Sequence, residues 1–225
     1  MRSKLTAHAP AAPVSSAAAG VSSDPDVPGQ RDGDAIRIGK LSVFGRTVWI
    51  GTEQDATNAA FLQRREISVV VRCKDGYTRP PKGCPPNTRW VNGSLWDCQP
   101  GKFPFAAEGG VSAQDLFNWA IVNMCKQVDE SSDGDVLFFC KAGRHRSYAG
   151  AVAYIMWSVR QATLDSVRAF IEGLHPRFQM NEDSFKDRRG FVRRGLAGDL
   201  KAWQAYLLDN TPQSLMREIP VTTSQ

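Results

Sequence analysis

The sequence predicts a single α/β domain with a central, mainly parallel sheet flanked by helices. Three observations carry that expectation. Two β-branched or apolar runs, ISVVVR at residues 67–72 and VLFF at 136–139, have the unbroken hydrophobic character of strands buried on both faces. Helical patterns lie between and after them, and strands alternating with helices favour parallel pairing. The second run leads directly into Cys140, placing that cysteine at a strand's carboxyl end, where ligands bind in sheets of this kind.

Residues 36–44 and 47–51 alternate apolar and polar side chains, the pattern of two short strands around a turn at Gly45 and Arg46. Residues 55–65 read as a short helix presenting Ala56, Ala59, Ala60, Phe61 and Leu62. After the 67–72 strand, a helix is expected over 113–128. Ser112 is a suitable N-cap with Asp115 three residues on, and Leu116, Phe117, Ala120, Ile121, Met124 and Val128 recur on one face. The helix expected at 147–160 is apolar nearly all round and hence central. Thr163 caps the next, whose Val167, Phe170, Ile171 and Leu174 repeat at helical spacing. A last helical region, 184–208, is interrupted by Gly190, Gly195 and Gly198. Its KDRRGFVRRG stretch, 186–195, is expected to form a solvated helix face with Phe191 and Val192 in the core.

The two ends differ from the middle. Residues 1–34 are rich in Ala, Ser and Pro, bury too little to fold, and read as a disordered tail. Arg2 and Lys4 precede the first acid, Asp24, which loosely resembles a transit peptide, but basic residues are too few and a plain flexible tail is favoured. Residues 211–225 read as a flexible C-terminal tail, leaving 35–210 as the folded domain.

Formal net charge is +5, a mild basic excess that favours anionic partners without requiring nucleic acid. No apolar run is long enough to span a membrane. The five cysteines form no CxxC pair and histidine is scarce, so neither a zinc site nor a cofactor is expected. Without a secretory signal pattern, reduced thiols in an intracellular, cytoplasmic setting are the expectation.

The chemistry concentrates in CKAGRHRS, residues 140–147. Lys141, Arg144, His145 and Arg146 crowd the positions after Cys140, and such charge beside a buried strand is costly unless an anion sits there. A strand end, a short loop and a helix start make an anion cradle. Backbone N–H groups of Lys141, Ala142, Gly143, Arg144, His145 and Arg146 can curl around one phosphate, aided by the helix N-terminus. Gly143 permits a backbone turn that a side chain would obstruct, and the Arg146 guanidinium can grip two oxygens. The same field favours a Cys140 thiolate, hence a nucleophile.

This stretch resembles the C-x5-R-[S/T] signature loop of the cysteine-dependent protein tyrosine phosphatase superfamily, dual-specificity branch. VWIGTEQDATNAAFLQRREISVVVRC resembles that family's opening strand, first helix and second strand. LHPRFQMNEDSF resembles its segment beyond the signature helix. The resemblance implies a dual-specificity-phosphatase-like fold, a phosphocysteine intermediate on Cys140 and phosphate binding by Arg146. It also implies a Ser147 hydroxyl that stabilises the departing thiolate. Asp97, in SLWDCQPGKFP with Trp96 and Pro100 around it, matches the family's general acid and base. The implied substrate is a phosphorylated protein, at tyrosine and at serine or threonine. The basic CKAG loop also resembles members acting on phosphoinositides or other anionic phospholipids. A catalytically weak phosphate-binding module and a rhodanese-like sulfur-transfer loop are the remaining alternatives.

Three departures from the family stand out. Phe139 replaces the usual histidine before the nucleophile. The gap from Asp97 to Cys140 is long and contains GKFPFAAEGG, which makes Asp115 and Glu108 fallback acids, although Asp115 is better explained as a helix-start charge. The Pro-rich stretch 75–89 is longer than usual and could border the cleft. Cys73, Cys84 and Cys98 are possible disulfide partners of Cys140, as in some relatives, with a spectator role the simpler reading. His145 reads as a rim residue.

Overall fold

The computed structural model describes residues 29, 31–41, 45–74, 79–80, 82–93, 113–131, 134–159, 162–178, 184–186 and 192–210. Its main sheet contains β1 (Arg31–Asp32), β2 (Ala35–Leu41), β3 (Arg46–Thr52), β4 (Ile67–Arg72), β5 (Arg89–Asn92) and β6 (Asp135–Cys140), in the order β1-β2-β3-β6-β4-β5. The β3–β6, β6–β4 and β4–β5 pairs are parallel; β1–β2 and β2–β3 are antiparallel. The expected mainly parallel sheet is therefore present, and the strand ending in Cys140 runs through its interior with a partner on either side.

Side-chain alternation along these strands divides the core into two layers. Ile36, Ile38, Val48, Ile50, Val69, Val71, Val136 and Phe138 face one layer, packed against α3 (Ala113–Asp129), α4 (Arg146–Ser158), α5 (Leu164–Leu174) and α6 (Leu196–Asn210). Trp49, Ile67, Val70, Leu137 and Phe139 face the other, under α1 (Glu53–Ala56) and α2 (Ala59–Arg64). Buried from Ser147 to Met156, α4 is the central helix its all-round apolar sequence predicts. Tyr154 and Trp157 of α4 both donate to the Asp129 carboxylate at the end of α3, at 3.1 and 2.8 Å.

Four local expectations need correction. Two residues read with the N-terminal tail lie in the sheet: Arg31–Asp32 pairs with β2, the turn between them using Gly33 at φ 65°. The helix expected over 55–65 is two helices, because the Asn58 side chain accepts from the Phe61 N–H at 3.1 Å and caps a fresh start. A further parallel strand, β5, follows the Pro-rich stretch and overlaps it only at Arg89; it is too short to announce itself in sequence. Finally, 184–208 is not one helical region. Ser184–Lys186 (β7) and Val192–Arg194 (β8) pair antiparallel as a separate two-stranded sheet, and α6 starts only after Gly195. Glycine is a poor helix former, and aromatic or β-branched residues such as Phe185 and Val192 suit strands.

Among the described residues, no helix is long and apolar enough to cross a membrane. The end of α3 is held by a side chain as well as by the backbone, where Glu130 N–H donates to Lys126 O and Ser131 N–H to Val128 O. Buried Arg46, at the start of β3, donates from its guanidinium to Val128 O and Ser131 O. Replacing it by Met keeps the aliphatic stem but removes both charge-assisted hydrogen bonds. Arg46→Met is expected to lower unfolding free energy by about 2 kcal/mol, read as an earlier urea midpoint at unchanged slope.

Candidate active site

The site is built where β6 ends. Cys140 is 4% exposed and faces the α3–α6 layer; residues 141–145 form a tight loop, and α4 begins at Arg146. Its sulfur lies 3.3 Å from Ser147 Oγ. Burial alone would push the Cys140 thiol up. Against it act the Ser147 hydroxyl and then the backbone N–H groups of Ser147, Arg144 and Ala142, all hydrogen-bonded to the sulfur, and together they hold it below the ordinary thiol range. These donors gather around the sulfur as a ring at the start of α4, where a helix N-terminus favours negative charge.

Gly143 makes this ring possible. Its φ is +62°, and a Cβ added there would lie 2.9 Å from the Gly51 carbonyl oxygen. The loop thus arches while pressed against the end of β3, where neither the dihedral nor the space admits a side chain. That end of β3 is itself fixed. Thr52 caps α1, donating to Asp55 Oδ2 through its N–H at 2.7 Å and its hydroxyl at 2.8 Å, while its hydroxyl accepts from the Asp55 N–H at 3.3 Å. Gly51, Thr52 and Asp55 are supporting residues that the sequence reading missed. Thr-x-x-Asp immediately after a strand was the available signal, since it is a capping-box spacing. Lys74, just past β4, pairs with Glu53 of α1 and ties the neighbouring strand exit to the same helix start.

The loop positions named from sequence come together as one unit. Lys141, Ala142 and Arg144 are exposed, Gly143 and Ser147 are buried, and His145 and Arg146 are half-buried. His145 occupies the N-cap position of α4 without capping it through its side chain. Asp97 and Glu108 lie outside the described residues. Asp115 belongs to the first turn of α3. Phe139 is buried on the opposite face from Cys140, edge-on to Trp90 at 5.9 Å. Its apolar character therefore matches the core beneath α1 and α2.

The cysteines separate by position. Cys73 follows β4 and donates its N–H to Phe139 O at 2.8 Å, which places it beside Cys140 across the parallel pair. Cys84 packs against the α1–α2 layer, on the other side of the sheet, as the chain returns toward β5. Cys98 lies outside the described residues. Burial pushes the Cys73 thiol well up; the charge of Cys140 adds to this and Arg146 opposes it. Burial, with Asp129 nearby, does the same to Cys125. Among the described residues, no group of three or more His, Cys, Asp or Glu side chains is gathered as metal ligands.

No protein-family model and no curated protein matches this sequence. Solved structures do match its fold. Human DUSP28 superposes with a TM-score of 0.51 at 17% identity, over 72% of this chain and 90% of that one. A variant of human DUSP28 gives 0.50 at 17% identity, over 72% and 92%. The chain thus has the α/β fold of these dual-specificity phosphatases.

The opposed thiol environments give a direct test. At neutral pH iodoacetamide should alkylate Cys140 well before Cys73 or Cys125, as read by peptide mass mapping. Ser147→Ala removes a hydrogen bond to the thiolate. It should move the midpoint of the Cys140 alkylation rate to higher pH, and an unmoved midpoint would show that Ser147 does not stabilise the thiolate.

Proposed function

We propose that the chain is a cysteine-dependent phosphatase that hydrolyses phosphomonoesters on proteins, at tyrosine and at serine or threonine. One observation carries this reading above the others: a cysteine whose thiol is held low despite burial, at the focus of backbone donors and at the start of a helix. The fold of human DUSP28 supports it. Residue types supply the rest.

In this reading a phosphate dianion lies in the loop, its oxygens on the N–H groups of residues 141–146 and on the Arg146 guanidinium. Cys140 Sγ attacks phosphorus as the P–O bond to the substrate breaks, and Asp97 delivers its proton to the leaving oxygen. A water then attacks the phosphocysteine, giving its proton to the Asp97 carboxylate. The S–P bond breaks, inorganic phosphate leaves, and the Ser147 hydroxyl stabilises the released thiolate. Lys141, Arg144 and His145 line the rim. Their charge also suits an anionic phospholipid headgroup, which makes a phosphoinositide or phospholipid phosphatase the second reading. With Phe139 in place of the usual histidine, a catalytically weak phosphate-binding module is the third.

Hydrolysis of an aryl phosphate without added metal is the decisive assay. The native chain should turn over and be inhibited by vanadate, and Cys140→Ser should be inactive; phosphate-analogue binding without turnover in the native chain would instead establish the binding module. Asp97→Ala should cut turnover by about 100-fold or more, and an unchanged rate would remove Asp97 as the acid. Phosphopeptides set against phosphoinositide vesicles separate the first two readings.

A further inference from the structure

We propose that His175 is a positioning residue for the nucleophile loop. With its Nδ1 unprotonated, it closes the His175–Phe178 turn that backs the first turn of α4. This deepens the phosphatase reading and rests on it.

His-Pro-Arg-Phe, residues 175–178, follows α5. His175 ends that helix in extended backbone, at φ −159° and ψ 132°, and Pro176 after it suits the second position of a turn. The turn is closed twice. Phe178 N–H donates to His175 O at 3.1 Å, and Arg177 N–H donates to His175 Nδ1 at 3.1 Å. The second bond exists only while Nδ1 keeps its lone pair, because an imidazolium is a donor at both nitrogens.

Two arms run from this turn to the loop. Phe178 is 1% exposed and lies 5.7 Å, ring to ring, from Tyr148; the His175 ring stands edge-on to Phe178 at 6.1 Å. Tyr148 is fully buried, and its hydroxyl donates to Glu172 of α5 at 2.8 Å. It directly follows Ser147, whose N–H and hydroxyl reach the Cys140 sulfur. The other arm is Arg177, whose Nη2 donates to Ile50 O at 3.3 Å. Ile50 precedes Gly51, on whose carbonyl Gly143 rests. One turn therefore backs both the helix start and the strand end that shape the loop.

Protonating His175 would set its charge against two arginines. Arg177 belongs to the same turn. Arg31 of β1, paired with Asp34 at 3.8 Å, approaches from the side where a Cβ on Gly29 would lie 3.6 Å from Leu174 O. Burial, then Arg177, then Arg31 hold the imidazole below its ordinary range. The fold thus favours the neutral ring. Its contribution is complete above about pH 6.5 and is lost as pH falls through the lower folded value.

Iodoacetamide alkylation of Cys140 in the full chain, followed by peptide mass, reads the loop without requiring turnover. His175→Asn keeps a side-chain acceptor for an N–H two residues on but does not titrate, whereas His175→Leu has no acceptor. At about pH 7.5 the native chain and His175→Asn should react equally. At about pH 5 the native chain should be about threefold slower than His175→Asn or more, and His175→Leu should share the slow rate. His145 is present in all three chains and so does not produce the difference. In the native chain the Arg177 amide resonance should titrate together with the His175 ring, which carries the test if His175→Leu does not fold.

Equal rates for the native chain and His175→Asn at both pH values would overturn the inference. So would a His175→Leu chain as fast as His175→Asn in acid, or an Arg177 amide that ignores the His175 titration. The two readings fail separately. The alkylation difference in a chain that does not hydrolyse aryl phosphate rejects catalysis and leaves the positioning role standing, whereas turnover with coincident alkylation rates rejects only the role of His175.

Discussion

Everything in the site depends on one close approach, the backbone of Gly143 against the carbonyl of Gly51. With φ at +62° and 2.9 Å between a would-be Cβ and that oxygen, only glycine closes the turn. The turn sends the N–H groups of Ala142, Arg144 and Ser147 inward to the sulfur. It also delivers the chain into α4 with the helix start directed at the same point. A sheet strand, a capping box and a helix are thereby committed to one backbone contact. The side chains of the loop inherit their geometry from that contact and do not create it.

The second constraint is a contest between desolvation and donation at Cys140. Deep burial favours the neutral thiol, as Cys73 and Cys125 show at fully buried positions without comparable donors. Cys140 departs from them because its neighbours are oriented dipoles fixed by the fold. Phe139 fits the same logic. Residues 139 and 140 face opposite layers, so the phenyl ring serves the core around Trp90 while the thiol serves the loop. Thiolate stabilisation on this chain therefore rests on groups that follow the cysteine, not on the side chain that precedes it.

Much of this was legible in the sequence, for physical reasons. The runs ending at Arg72 and Cys140 are buried on both faces, so their composition alone marks them as interior strands. CKAGRHRS is local, so residue type and order were enough to mark one short loop between β6 and α4. What escaped notice depends on pairing across the chain. β1 and β5 are too short for a pattern, and β7 and β8 define each other only by meeting. Gly51, Thr52 and Asp55 gain their role from the loop that lands on them. Asp97 lies outside the described residues.

The sheet order has a consequence for how the chain reaches its native state. β6 is inserted between β3 and β4, both of which precede it by many residues, and each of those pairings is parallel. The strand that ends in Cys140 is thus the last of the main sheet to be made and the one that joins its two halves. Long loops must close before it can settle, which places the slow, non-local step of folding at the centre of the molecule. A chain cut short before residue 140 would leave β3 and β4 with unpaired facing edges, and such edges invite pairing with other chains. Nascent and truncated forms are therefore the ones prone to aggregate, and completion of the sheet is the same event as completion of the site.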